Sequence, residues 1–328
     1  MKTVLVTGAN GFLGSNLTRE LYRLGYDVKA MIRPTADLKG IADIPCEVFF
    51  GHIDNKNDVD AAVAGCDIVV HAACITDQWN ITFEEYERIN YTSTQYIVEA
   101  CIHQRVERLI YVSTANTIGP GSRLYPGSEL NGFTLFSARS GYINTKYLAQ
   151  QYVLEQVAAS RLEAVVVNPT FMVGPCDVKP SSGKLLLYGL KKKVLFYPPG
   201  GKNFVHIQDV CRGIVNAIQY GKTGNCYLLA GHNLSYREFY TILNSITGEK
   251  KLMIRIPKTV LRIAGTTGSL LQRFARVKGR LNHTAAYMLC MDNYYSGKKA
   301  ERELHVKYTP VEEAISSAFH WFRENNYF

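Results

Sequence analysis

The sequence predicts an α/β protein built on a doubly wound parallel sheet, with a smaller substrate-binding part towards the C-terminal end. Three observations lead there. An apolar run from Val4 ends in Gly8, Gly11 and Gly14 and passes straight into a helical pattern of Leu13, Leu17, Leu21 and Leu24. Apolar runs then alternate with helical stretches, the order of parallel strands joined by right-handed crossovers. From about Phe171 prolines and glycines divide the chain into loops around short elements. The expected nucleotide-binding domain is 1–170, with 203–231 returning to it as helix and strand, and 171–328 forms mainly the substrate part.

The first strand, turn and helix carry the strongest signal. Gly8 permits the tight turn, Gly11 lets a phosphate approach a backbone without a Cβ, and Gly14 lets the helix lie close on the strand. Free N–H groups at the positive end of the helix dipole suit a pyrophosphate. The spacing is Gly-x-x-Gly-x-x-Gly, which differs from the standard Gly-x-Gly-x-x-Gly. A glycine-rich turn without a ligand is the competing reading, and the later segments count against it. The segment Gly8, Asn10, Gly11, Phe12, Leu13 and Gly14 is therefore the expected cofactor cradle of a Rossmann arrangement.

The second strand is Asp27 to Ile32, after a helix closed by Leu24-Gly25. A site for NAD usually places Asp or Glu at this strand's carboxyl end, for the ribose hydroxyls. Here the strand ends Met31-Ile32-Arg33-Pro34. Arg33 would meet the 2′-phosphate of NADP; a plain surface arginine is the alternative. NADP(H) is the expected preference, with NAD(H) as a second cofactor.

A third strand, Glu47 to Phe50, leads to Gly51-His52-Ile53-Asp54. The run Ile68 to Val70 fits a strand buried on both faces and leads to His71-Ala72-Ala73. A long helix spans about Phe83 to His103, and the strand Arg108 to Val112 ends in Ser113-Thr114. Ligands of such sheets sit off the carboxyl ends of the strands. Gly8, Arg33, Asp54, His71 and Thr114 all fall there.

The chemistry is written at Ser140-Gly141-Tyr142-Ile143-Asn144-Thr145-Lys146. Tyr142 and Lys146 are four apart and share one face of a helix. An adjacent ammonium stabilises phenolate, so Tyr142 is expected to have a lowered pKa and to serve as an acid near neutral pH.

Composition agrees with a soluble enzyme: 328 residues, 47% hydrophobic and 20% charged. No apolar run has the length of a membrane span, and the N-terminal strand is too short for a signal-peptide core. Eight cysteines are scattered with no Cys-x-x-Cys pair. They read as free thiols of a cytoplasmic protein rather than disulfides or a metal site. The net charge is +9, and Lys250 to Arg280 holds nine basic residues and no acid. An anionic substrate or a membrane surface would use such a run, but a solvated face is preferred. Gly265 and Gly268 interrupt the apolar pattern of Val260, Leu261, Ile263, Ala264, Leu270, Leu271 and Phe274, so no membrane contact is expected. No nucleic-acid motif accompanies the charge.

Taken together, these segments resemble the extended short-chain dehydrogenases/reductases, the NAD-dependent epimerase/dehydratase superfamily. The likeness rests on Thr7-Gly8-Ala9-Asn10-Gly11-Phe12-Leu13-Gly14, His71-Ala72-Ala73, Val112-Ser113-Thr114 before Gly119, Tyr142-to-Lys146, and Asn168-Pro169 followed by Val173-Gly174-Pro175. Phe204-Val205-His206-Ile207-Gln208-Asp209-Val210 and Trp321-Phe322-Arg323-Glu324-Asn325 extend it over nearly the whole chain. Arg33-Pro34-Thr35-Ala36-Asp37-Leu38 and Tyr227-Leu228-Leu229-Ala230-Gly231 point to the dihydroflavonol 4-reductase, 3β-hydroxysteroid dehydrogenase and hopanoid-associated epimerase-like group.

The resemblance implies roles. Tyr142 would be the general acid/base, and Lys146 would lower its pKa and hold the nicotinamide ribose. Thr114 would bind the reacting oxygen. Asn90 would be structural or part of a proton relay. Asp54 with Ile53 would meet the adenine. His71, Ala72 and Ala73 would line the cofactor through their backbone, and Asn168-Pro169 would complete its site. Asp209 is expected to cap the following helix, and His206 to be a packed residue. The family's epimerases usually carry Arg before the Phe-Val-His stretch, whereas this chain has Lys202, which weakens an epimerase reading. The position four after Lys146, often Glu, is Gln150.

The resulting expectation is an NADP(H)-dependent oxidoreductase that reduces a carbonyl, or oxidises the matching alcohol, on a small or mid-sized substrate. An epimerase or dehydratase with retained cofactor is the alternative, and a non-catalytic cofactor-binding regulator is the alternative of another class. The aromatics Trp79, Phe133, Phe136, Phe171, Tyr188, Phe196 and Tyr197 would line an apolar pocket or pack in the core. A homodimer through the helices around Asn90 and Tyr142 fits the family pattern.

Overall fold

The computed structural model describes residues 1–77, 81–190, 192–275 and 282–328, with side chains omitted at 270–275. Trp79, Lys191 and residues 276–280 of the basic run lie outside the described residues. The first half alternates as its apolar runs dictate: β1 (Thr3–Thr7), α1 (Phe12–Arg23), β2 (Asp27–Ile32), β3 (Glu47–Phe50), α2 (Lys56–Val63) and β4 (Ile68–His71). The long helix follows in three continuous parts, α3 (Phe83–Tyr86), a π-helical turn (Glu87–Thr92) and α4 (Ser93–His103). Then come β5 (Arg108–Val112), α5 (Gly141–Ala158) and β6 (Ala164–Pro169).

The second half has β7 (Phe171–Val173), α6 (Gly183–Leu190), β8 (Val194–Tyr197), β9 (Gly201–His206), α7 (Ile207–Tyr220) and β10 (Cys226–Leu229). After these run β11 (His232–Ser235), α8 (Tyr236–Thr247), β12 (Leu252–Arg255), α9 (Lys258–Ala275) and α10 (His283–Cys290). The chain ends with β13 (Asp292–Asn293), α11 (Lys298–Glu303) and α12 (Val311–Glu324).

The main sheet has seven strands in the order β10-β6-β5-β4-β1-β2-β3, each neighbour parallel. Its strands are apolar on both faces, as a sheet covered on both sides requires. Val4, Val6, Ile68, Val70, Ile110 and Val165 face one core, shared with α1 and α7. Leu5, Val69, Leu109, Tyr111 and Val166 face the other, shared with α2, α4 and α5. The chain reverses direction of travel between β1 and β4, and ligands of such sheets bind outside that point.

Residues 207–229 return to this sheet: α7 packs beside α1, and β10 adds an edge to β6. Residues 203–206 do not, because they complete β9 in a second sheet where β9 pairs with β7, β11 and β13. Asp209 is not the cap of α7. The His206 side chain is, accepting from the Gln208 N–H at 3.0 Å. Asp209 is buried one turn in, paired with Arg212 and accepting from the Thr309 N–H at 2.7 Å, so it ties down the approach to α12.

One expectation fails for a clear reason. Gly265 and Gly268 do not break the helix, and α9 runs through both. A Cβ at Gly265 would lie 2.4 Å from Cβ of Ala286 on α10, so this glycine sets a close helix contact. Replacing Gly265 by Ala should improve helix propensity by about 1 kcal/mol but overpack the contact at a cost of about 1–3 kcal/mol. A net loss of stability in urea unfolding is expected; a raised midpoint would show that α9 and α10 are further apart.

Candidate active site

The carboxyl ends of the sheet strands and the starts of α1 and α5 build the site. Ser140 caps α5, its hydroxyl accepting from the Ile143 N–H at 3.3 Å. This fixes the first turn, which carries Tyr142 into a cavity of about 350 Å³. Thr114 follows β5 and faces the same cavity, with Pro169, Phe171, Lys184 and Lys202 around it. Its hydroxyl also accepts from the Asn116 N–H at 3.3 Å, which fixes the turn after the strand.

The phenol differs from expectation. Burial raises the Tyr142 pKa well above its ordinary value, the Cys74 thiol adds to this, and the Thr114 hydroxyl offsets part of it. Lys146 does not pull it down because the ammonium points elsewhere. Its Nζ donates to the Val112 carbonyl at 2.7 Å and lies 4.3 Å from the Tyr111 ring centre. Burial lowers the Lys146 pKa to about 8.

Behind these side chains Gln150 and Asn168 form a buried brace, a pairing that the sequence does not show; the Asn168 amide is spent on it, not on the expected cofactor contact. Gln150 is one turn beyond Lys146, on the same helix face. Its Oε1 accepts from the Thr117 hydroxyl and from Nδ2 of Asn168, both at 2.8 Å. Asn168 Nδ2 also lies 3.2 Å from the Thr114 carbonyl. The Asn168 amide thus positions Thr114, while Pro169 reaches the cavity wall. The four-residue spacing from Lys146 was the available signal.

Asn90 is held in the same manner. Its Oδ1 accepts from the Ile75 N–H at 2.8 Å, and its Nδ2 donates to the Ile75 carbonyl and the Thr145 hydroxyl. These bonds pin the loop after β4 to α5.

At the same carboxyl edge of the sheet, Gly8 has φ +69° and a Cβ there would lie 2.9 Å from Cα of Ala73. A Cβ on Gly14 would lie 2.1 Å from the Gly8 carbonyl oxygen. Gly11 begins α1 with no side-chain cap, which leaves its first N–H groups for a ligand. Phe12 and Leu13 direct their side chains into the core, so only their backbone can serve the cradle. Asn10 donates to the Asp37 carbonyl at 3.2 Å and closes the loop after β2 against the turn. Arg33 is exposed at the end of β2, its guanidinium unpartnered among the described residues. Asp54 is paired with Arg88 from the π-helical turn, a partner 34 positions away with no local signal in the sequence. Ile53 is buried in the core beside it.

His71 is fully enclosed, and its hydrogen bonds define its protonation. Thr94 donates its hydroxyl to the Asn90 carbonyl, so it can only accept from His71 Nε2–H, at 3.1 Å. Nδ1 then accepts from the Thr7 hydroxyl at 2.8 Å. Thr7 in turn accepts from the N–H groups of Ala72 and Ala73, both at 3.1 Å. The chain of bonds runs in one direction and locks residues 71–73 against the glycine turn. It also occupies the Ala72 and Ala73 N–H groups, which are therefore not available as donors to a ligand.

Of the aromatic set, Phe171 reaches the cavity. Phe133 stacks on Tyr147 at 4.2 Å with Phe136 beside it, Tyr188 packs on Tyr240, Tyr197 joins the core of the C-terminal part, and Phe196 is exposed. The cavity is more polar than expected. Lys202 lies 5.2 Å from the Phe171 ring centre, its pKa lowered to about 8 by burial.

The uncapped helix start, the space left by three glycines and the Tyr142–Lys146 pair fit a nicotinamide dinucleotide. Fold and site define an NAD(P)-dependent enzyme of the extended short-chain dehydrogenase/reductase type. Residues 4–230 match the NAD dependent epimerase/dehydratase family, and the chain belongs to it. It is 28% identical to a putative dihydroflavonol 4-reductase of Synechocystis sp., over 98% of this chain and 95% of that one. It is 29% identical to the 4-hydroxy-2-methyl-3-oxo-4-farnesyl-3,4-dihydroquinoline-1-oxide ketoreductase of Stigmatella aurantiaca, over 91% and 90% of the two chains. The crystal structure of gox2253 superposes with a TM-score of 0.88, at 29% identity over 99% of both chains.

The His71 arrangement predicts a spectroscopic result. Burial, with the Lys146 charge second, lowers the His71 pKa from 6.5 to about 3. The ring should show the neutral Nε2–H pattern in ¹⁵N spectra throughout pH 5 to 8, a window chosen about the ordinary histidine value. The unfolded chain binds the proton between the two pKa values, so His71's share of stability is intact above 6.5 and lost as pH falls towards 3. A ring that titrates near 6.5, or carries its proton on Nδ1, would contradict this bonding.

Proposed function

We propose that this enzyme is an NADP(H)-dependent carbonyl reductase acting on a small or mid-sized substrate, with Tyr142 as proton donor. The observation that carries this reading is that Tyr142 and Thr114 face one cavity, with the phenol held in its protonated form. A phenol that retains its proton suits the reductive direction, in which the substrate oxygen gains negative charge and must be protonated. When bound, the cofactor supplies the hydride. Thr114 donates a hydrogen bond to the substrate oxygen and holds it beside Tyr142. Lys146, fixed by the Val112 carbonyl, provides a positive charge one helical turn away and a donor for the ribose. The Gln150–Asn168 brace keeps Thr114 in place. Both relatives described above are named as reductases, which supports the same chemistry.

Tyr142→Phe should lower kcat at least about a hundredfold, the usual range for a lost general acid, while cofactor affinity in fluorescence titration stays nearly unchanged. Retention of more than about a tenth of the activity would exclude Tyr142 as the acid.

The cofactor preference rests on Arg33. It is exposed, unpaired among the described residues, and stands where no carboxylate would repel a phosphate. Bonds to a charged group contribute about 1.5–3 kcal/mol, so NADPH should bind roughly ten to a hundred times more tightly than NADH. Arg33→Ala should remove most of that difference without changing NADH affinity. Equal affinities in the unaltered protein would refute the assignment.

A further inference from the structure

The strands β8 and β12 form a separate parallel pair, with Leu252 opposite Val194 and Ile254 opposite Phe196. The alternation of strand side chains sends Leu195, Tyr197 and Met253 into the core of the C-terminal part. The opposite face holds four apolar residues in two registered pairs, and all are exposed: Val194 by 39%, Phe196 by 47%, Leu252 by 63% and Ile254 by 39%. Two more apolar side chains, Val260 and Ile263, are exposed on α9, which starts three residues after β12. A sheet face of this composition left in water marks a contact site.

The charge around it is of one sign. Lys192 and Lys193 lead into β8, Lys250 precedes β12, and Arg255, Lys258 and Arg262 follow; all six are exposed. The acid next to them, Glu249, is paired with Lys251 at 2.5 Å. We propose that this face docks on membranes that carry anionic lipid headgroups. The apolar residues would enter the headgroup boundary, and the long basic side chains would reach the phosphates beside them.

The composition favours this occupant over the others. A second copy of the chain packed face to face would bring two basic rims together, and like charges directly opposed are unfavourable. A nucleic acid would use the cations but not Val194, Phe196, Leu252 and Ile254. No described helix is long and apolar enough to cross a membrane, so the contact is peripheral. The expectation against membrane contact rested on glycines breaking the helix and on the lack of a continuous apolar face; α9 is continuous, and the apolar face lies on β8 and β12. The face is also linked to the catalytic cavity. Helix α6 begins beside Lys184 on the cavity wall, and its Tyr188 hydroxyl donates to the Phe196 carbonyl at 3.2 Å.

The test is co-sedimentation of the full chain with vesicles of phosphatidylcholine alone, or mixed with phosphatidylglycerol, at physiological salt. The protein should pellet with the mixed vesicles and leave them as salt is raised. The double variant Phe196→Ser/Ile254→Ser and the double variant Lys258→Glu/Arg262→Glu should each bind at least about tenfold more weakly. Cofactor affinity and the circular dichroism spectrum of each variant should be unaltered, which separates lost docking from lost folding. Failure of the unaltered protein to pellet, or equal binding to the neutral vesicles, would overturn the proposal. So would a concentration-dependent dimer abolished by Phe196→Ser/Ile254→Ser, because that would assign the face to a second copy.

Discussion

The close approach of the glycine turn after β1 to the segment after β4 is the contact on which the site depends. No side-chain atom can stand at Gly8 or Gly14, because the Ala73 backbone occupies one position and the Gly8 carbonyl the other. The approach is held from below by Thr7, whose hydroxyl takes the two N–H groups of Ala72 and Ala73 and gives its own proton to His71. His71 passes the constraint to Thr94 and so to the helix that contains Asn90. Asn90 then fixes the loop at Ile75 and touches Thr145, in the turn between Tyr142 and Lys146. The glycine turn after β1 and helix α5 are therefore joined by one buried hydrogen-bond network with defined proton positions. Buried polar networks of this type are costly when any member lacks its partner, which makes them specific.

Burial sets the electrostatics of the site more than ion pairing does. Tyr142 keeps its proton, Lys146 and Lys202 hold theirs less firmly than free lysines, and His71 is neutral. The charges that an exposed site would surround with water are here placed against carbonyls, rings and hydroxyls. In the reaction proposed above, negative charge moving onto a substrate oxygen would meet a donor, Thr114, and a proton, on Tyr142.

The sheet was legible because its signal is local. Strands buried on both faces read as continuous apolar runs, and Asp27 to Ile32 and Arg108 to Val112 stand where those runs are. The positions of Tyr142, Lys146 and Thr114 followed from helix spacing and from strand ends. The C-terminal part was not legible in the same way. Its second sheet is assembled from β7, β9, β11 and β13, and β8 pairs with β12 across more than fifty residues, so no window of sequence contains a pair. The partners of Asp54 and Asn168 are tertiary for the same reason. The glycines of α9 misled because a glycine that admits a neighbouring helix looks, in sequence, like one that ends its own.

The central claim is that the cofactor is consumed in reducing a carbonyl, and label transfer tests it most directly. The enzyme would be supplied with NADPH deuterated at the transferable C4 position and a panel of carbonyl compounds, and cofactor oxidation and product would be measured together. The account predicts deuterium on the new alcohol carbon, with one cofactor oxidised for each product formed. Substrate turnover without net cofactor oxidation, and with no label in the product, would contradict it and indicate an internal redox cycle instead.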